Sequence, residues 1–183
     1  LGVEQMNKKA ANKVYIISGP AGVGKSTTSK ELTKKFKNSA YISGDNITHM
    51  HINGRKNPWE RSEELLIWDN ILSLTKNFVK YGNDVIVDYV TFPKEAEWVC
   101  KNLKSLNVEV IYVVLWTDNG TLLARDNMRM PSAKMGERCL ILVDEFIESG
   151  IKEKYIFDTT DTSPDDISYV VNEIIRNPKF KLN

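Results

Sequence analysis

Residues 19–26 read Gly-Pro-Ala-Gly-Val-Gly-Lys-Ser, a complete G-x-x-x-x-G-K-[ST] pattern. Just upstream, Val14-Tyr15-Ile16-Ile17 is a short apolar run suited to a buried strand, and Thr27 to Phe36 reads as a helix. Strand, glycine loop and helix in that order confine the chain to one kind of α/β architecture. The glycines let backbone N–H groups turn inward around phosphate oxygens, and the helix N-terminus adds partial positive charge. Lys25 is placed to reach β/γ-phosphates and the Ser26 hydroxyl to ligate Mg²⁺. The expected nucleotide-binding residues are therefore Gly19, Ala21, Gly22, Val23, Gly24, Lys25, Ser26 and Thr27. An ordinary glycine-rich turn is the competing reading, and it leaves the lysine-serine pair unexplained.

The remaining segments alternate strand-like and helix-like, the pattern of a parallel sheet covered on both faces. Strands are expected at 40–43, 84–88, 108–116 and 155–158. Helices are expected at 59–81, from Pro93 to about Leu106, at 119–130, at 139–148, and after the Ser163-Pro164 cap. In the long helix, Leu65, Trp68, Leu72, Thr75 and Val79 form the expected buried stripe. Residues 1–12 read as a disordered leader, within which Met6 precedes a polar Asn-Lys-Lys stretch. Residues 13–183 read as one domain.

A net charge of +1 over 183 residues argues against a nucleic-acid footprint. No apolar run is long enough to span a membrane, and no signal-peptide pattern opens the chain. Two cysteines, Cys100 and Cys139, are too few for a disulfide framework and fit a reducing, cytoplasmic setting. The absence of an Asn-Lys-x-Asp guanine reader disfavours GTPases, and the length disfavours motors.

On these residues the chain resembles the small-molecule kinases of the nucleoside-monophosphate-kinase superfamily. It is most similar to gluconate kinases, with shikimate kinase and chloramphenicol phosphotransferase nearby. The resemblance spans residues 13–176. It is carried by Gly19–Thr27, by Gly44-Asp45 with His49 shortly after, by Arg125 and Arg129, and by Phe157-Asp158-Thr159-Thr160 followed by Ser163-Pro164. It implies a three-layer α/β/α P-loop NTPase fold with a five-stranded parallel sheet, ATP and Mg²⁺ as cofactors, and a small-molecule acceptor. The chain is read as a monomer or homodimer. The resemblance also implies a lid near 129–139 that brings arginines to the phosphates or the adenine.

Within that frame Asp45 is the expected base or acceptor contact, since a carboxylate at the C-terminal edge of a parallel sheet faces the ligand crevice. The competing reading is that Asp45 or Asn46 caps the next helix. Asp88, ending a Val-Ile-Val strand, fits the metal-supporting carboxylate beside Ser26, and the two acids could exchange roles. Arg125 and Arg129, one helical turn apart, suit phosphate recognition. His49 and Arg55, with His51 and Lys56 beside them, fall where an acceptor would sit and suit a carboxylated or polyhydroxylated one. Two departures touch acceptor recognition: Asp88-Tyr89-Val90-Thr91-Phe92-Pro93 replaces the gluconate-kinase segment, and no His-Phe pair follows Arg129. The alternatives are a kinase of an antibiotic or a nucleic-acid end, or a nucleotide switch without small-molecule chemistry.

Overall fold

In the computed structural model, which describes residues 11–182, a β-branched core run extends outward to form β1 (Asn12–Ser18). The leader expected over residues 1–12 lies outside the described residues up to residue 10, and Asn12 already belongs to β1. The other strands are β2 (Ser39–Ser43), β3 (Asp84–Asp88), β4 (Val108–Trp116) and β5 (Ile156–Asp158). All pair in parallel, in the order β2-β3-β1-β4-β5. Parallel neighbours require crossovers, and helices supply them on both faces.

The period-two alternation of β1 divides the core. Val14 and Ile16 face one apolar cluster with Ile67 and Ile71 of α3 (Arg61–Lys80) and Ala96 and Val99 of α4 (Pro93–Leu103). Tyr15 and Ile17 face the other, against Leu32 of α1 (Lys25–Thr33), Val143 of α6 (Arg138–Glu148) and Val171 of α7 (Ile167–Arg176). This is the three-layer α/β/α fold.

The buried face of the long helix keeps four of the five expected residues, leaves Leu65 outside and adds Ile67 and Ile71. Leu65 is 46% exposed, while Ile67 and Ile71 are fully buried beside Trp68, Leu72, Thr75 and Val79. Two buried isoleucines, each contributing about 1.5–3 kcal/mol, outweigh one leucine. Helix ends also retreat from their expected limits. The first stops at Thr33 and the third-strand crossover at Leu103, and α5 (Asn119–Asn127) ends three residues before Met130. Gly82 closes α3 at φ 82°, with its amide donating to the Val79 carbonyl.

Strand register brings the site together. Asp88 is level with Ile17 of β1 on one side and Ser43 of β2 on the other. The phosphate loop, the Gly44-Asp45 pair and Asp88-Tyr89 therefore all emerge at the same C-terminal edge. In such sheets ligands bind there.

Candidate active site at the sheet's C-terminal edge

Gly19, Gly22 and Gly24 adopt φ of 131°, 85° and 103°, where a side chain is strained. At Gly19 a Cβ would also lie 2.3 Å from the Leu115 carbonyl oxygen, so the loop is wedged against β4. Gly24 caps α1 with no side chain bonded to the first-turn amides and no acid in that turn. The helix N-terminus thus keeps its donors and positive potential for an anion. Lys25 Nζ donates to the Gly19 and Pro20 carbonyls at 2.9 and 2.8 Å, folding back over the loop.

Burial pushes the Lys25 ammonium below the usual lysine range. Asp88 and then Asp45 pull it back up, and Arg129 pushes it down again. One lysine thus senses three of the residues singled out from the sequence. Asp88 is 5% exposed, and its Oδ2 accepts from the Tyr41 hydroxyl at 2.6 Å. Burial first, and then that bond to Asp88, raise the Tyr41 phenol; Ser43 and Ser26 neighbour the same hydroxyl and act the other way. Asp88, Tyr41 and Ser26 therefore share one oxygen-rich corner. Ser26 and Asp88 fit a Mg²⁺ ion there, because a hydroxyl and a carboxylate are the hard oxygen donors it takes. Among the described residues no cluster of three or more His, Cys, Asp or Glu could hold a metal ion.

Asp45 lies exposed in the first turn of α2 (Gly44–Thr48). Ser43, not Asp45 or Asn46, caps this helix, its Oγ accepting from the Asn46 amide at 3.3 Å. The Asp45 carboxylate is thereby left for another use. Beneath it the Tyr89 ring presses on Gly44, where a Cβ would sit 2.2 Å from ring carbon Cδ2. Tyr89 also meets Trp68 edge-on at 5.8 Å. The segment after Asp88 is pinned by Ser18, whose Oγ donates to the Thr91 carbonyl (2.7 Å) and accepts from its amide (2.8 Å). Tyr112 donates to the same carbonyl at 2.7 Å.

The cations after β2 do not converge. His49 Nδ1 lies 2.6 Å from the Asp45 carbonyl oxygen, and His51 Nε2 lies 3.2 Å from Oε1 of buried Glu63. Lys56 donates to Ser62, and Arg55 is exposed. Arg125 and Arg129 also part company. Arg125 donates to the Thr159 carbonyl at 2.8 Å, the Thr162 carbonyl at 3.1 Å and the Thr159 hydroxyl at 3.2 Å. Arg129 pairs with Asp126 at 3.2 Å.

A cavity of about 390 Å³ opens beside the loop, lined by Gly22–Gly24, Arg125, Arg129, Thr159, Thr162, Ser163, Pro164 and Ile167 among others. Of these, Thr159, Ser163 and Pro164 carry the family resemblance in the sequence but are not among the expected site residues, and Thr162 and Ile167 are in neither set. Their signal was the Thr-Thr-x-Thr-Ser-Pro run after the last strand, unreadable as a pocket until β5 placed it next to β1's loop.

These features define a P-loop phosphate-binding fold, and the chain belongs to the AAA domain family, whose model matches residues 14–148. No curated relative matches the sequence. Among solved structures the fold is similar to a gluconokinase from Sinorhizobium meliloti 1021, at 15% identity and a TM-score of 0.61 over 91% of each chain. It is similar to the APS kinase of Mycobacterium tuberculosis at 15% identity and a TM-score of 0.63, covering 92% of this chain and 100% of that one. A shikimate kinase from Bacteroides thetaiotaomicron matches at 19% identity and 0.59, over 90% and 97%. The fold is that of the P-loop small-molecule kinases. At such identities the likeness carries the fold and leaves the acceptor to this chain's own residues.

Proposed function

We propose that this chain is an ATP-dependent phosphotransferase that phosphorylates a hydroxyl of a small polar metabolite, with gluconate the leading acceptor. The observation that supports it best is a convergence at one sheet edge: Asp88 is level with Ile17, just before the phosphate loop of Lys25, and with Ser43, just before Asp45. A binding loop alone needs neither acid.

In this reading the loop amides, Ser26 and the α1 N-terminus hold the triphosphate, and Lys25 swings from the Gly19 and Pro20 carbonyls to the β/γ oxygens. Mg²⁺, held by Ser26 and Asp88, would neutralise charge on those oxygens. Asp45 orients the acceptor hydroxyl and takes its proton as the oxygen attacks the γ-phosphorus. The bond from the γ-phosphorus to the β–γ bridging oxygen breaks in line, and that oxygen leaves with ADP. Arg125 backs the nucleobase cavity, and Arg129 meets the phosphates from the lid segment near 129–139. His49 and Arg55 border the acceptor side. Residues 13–183 act as one unit, in a cytoplasmic setting, without a membrane or nucleic-acid partner. Among the described residues no helix is long and apolar enough to cross a membrane.

The Lys25→Ala variant tests this directly in a coupled ADP-release assay. Acceptor-dependent ADP release is expected from the parent and none from the variant; near-normal release from the variant refutes the assignment.

A second acceptor class has its own support. Ile52 is 95% and Trp59 66% exposed, and Met50 stands beside them, all on the acceptor-side loop. Apolar side chains left in water favour an acceptor with an apolar body, such as a hydroxylated antibiotic. Higher kcat/KM for such compounds than for sugar acids would decide for it.

A further inference from the structure

Asp126 is an acid that neither the phosphate loop nor the acceptor side requires, yet it is 2% exposed at the end of α5. Its carboxylate has three partners across the 127–136 segment. Oδ2 accepts from the Gly136 amide at 2.9 Å and the Met135 amide at 3.0 Å, with Oδ1 3.2 Å from the latter. Oδ1 also accepts from Arg129 at 3.2 Å. The segment between these anchors leaves α5 and returns to α6, and its ends are joined at one side chain. That side chain stands against the phosphate loop, since a Cβ on Gly22 would meet the Asp126 Cβ at 3.5 Å.

The consequence concerns Arg129. Its guanidinium is 39% exposed on a long flexible stem, so an unrestrained rotamer search would oppose its arrival at a phosphate. Paired with Asp126 it already lies close enough to depress the Lys25 ammonium. Charge-assisted bonds to a buried carboxylate are the stronger kind, and two backbone amides hold that carboxylate still.

We propose that Asp126 is a positioning residue: its carboxylate straps the 127–136 segment beside the phosphate loop and holds Arg129 ready for the transferred phosphoryl group. This rests on the phosphotransferase reading for its catalytic half. The strap itself does not.

The test uses the full chain carrying Asp126→Asn, Arg129→Ala or both. With a working acceptor, Asp126→Asn is expected to lower kcat about 10–100-fold while KM for ATP moves less than about threefold, the pattern of a misplaced catalytic group. The double variant is expected to be no more than about twofold slower than Arg129→Ala alone, because both changes remove one function. Losses that multiply, or a loss confined to KM, overturn the proposal. Amide hydrogen exchange with the imido analogue of ATP bound needs no acceptor. Met135 and Gly136 should exchange about tenfold faster in Asp126→Asn and at the parent rate in Arg129→Ala. Unchanged protection in Asp126→Asn overturns the strap. Should that variant fail to fold, Arg129→Ala still decides: an undiminished kcat refutes the positioning claim. If no acceptor turns over yet the exchange pattern holds, the phosphotransferase reading fails and takes the catalytic half with it.

Discussion

Gly44→Ala probes the acceptor half of the site through a single carbon. Gly44 has no left-handed φ, so no backbone strain opposes alanine. At the first residue of α2, alanine's helix propensity would favour it by up to about 1 kcal/mol. Against that, the new Cβ would lie 2.2, 2.4 and 2.8 Å from three carbons of the Tyr89 ring. Relief requires the ring to move by more than 1 Å, on the order of a van der Waals contact minus 2.2 Å. Tyr89 is held by Trp68 on one side and by the pinned Thr91 segment beyond it. Overpacking of this kind costs about 1–3 kcal/mol. The net expectation is a loss of about 1–2 kcal/mol, lowering Tm by about 2–8 °C for a chain of this size. Asp45, the next residue, should shift with the helix, so kcat should fall more than KM for ATP. Thermal unfolding of Gly44→Ala, Tyr89→Ala and the double variant checks the cause. In the Tyr89→Ala background the alanine should cost nothing or stabilise. A stable Gly44→Ala, or a cost that survives removal of the ring, refutes the steric argument.

Tyr41→Phe removes the only side-chain donor to Asp88 among the described residues and should cost about 1–3 kcal/mol, the range for a buried acceptor left unpaired; denaturant unfolding measures it, and the Mg²⁺ requirement should rise alongside. Arg125→Lys keeps the charge but cannot bridge Thr159 and Thr162, so KM for ATP should rise with kcat less affected. Acid titration of stability isolates Asp126. Burial pushes its carboxyl up, but the Gly136 and Met135 amides and Arg129 together outweigh it and hold it below the usual value. A depressed folded pKa stabilises above the unfolded value of about 4 and is lost as pH falls through the folded one. Asp126→Asn should therefore flatten the acid limb below about pH 4; an unchanged limb contradicts the pairing.

The donor half was legible because its chemistry is local. The phosphate loop needs only eight consecutive residues, and the strand before it declares itself by β-branching. Sheet order and the level placement of Asp88 with Ser43 and Ile17 were out of reach, since register is a property of pairs of strands. Leu65 misled because a three-four step fits several adjacent helix faces, and tertiary packing on Ile67 and Ile71 chose among them. His49, His51, Arg55 and Lys56 stand out by their place in the polar region after the second strand, but the partners seen for two of them lie on the next helix: Glu63 for His51 and Ser62 for Lys56. Asp126 left no signal. An acid beside two arginines looks like a solvated helix face until the chain returns ten residues later with its amides.

The central claim is that the γ-phosphoryl group of ATP leaves for a hydroxyl held near Asp45. Phosphorus NMR of reactions with ATP, Mg²⁺ and a panel of sugar acids, shikimate-like acids, nucleosides and hydroxylated antibiotics tests it most directly. The account predicts a new phosphomonoester signal with one acceptor class, in step with ADP, from the parent and none from Lys25→Ala. ATP bound but unconsumed across the whole panel, or the same product from Lys25→Ala, would contradict it.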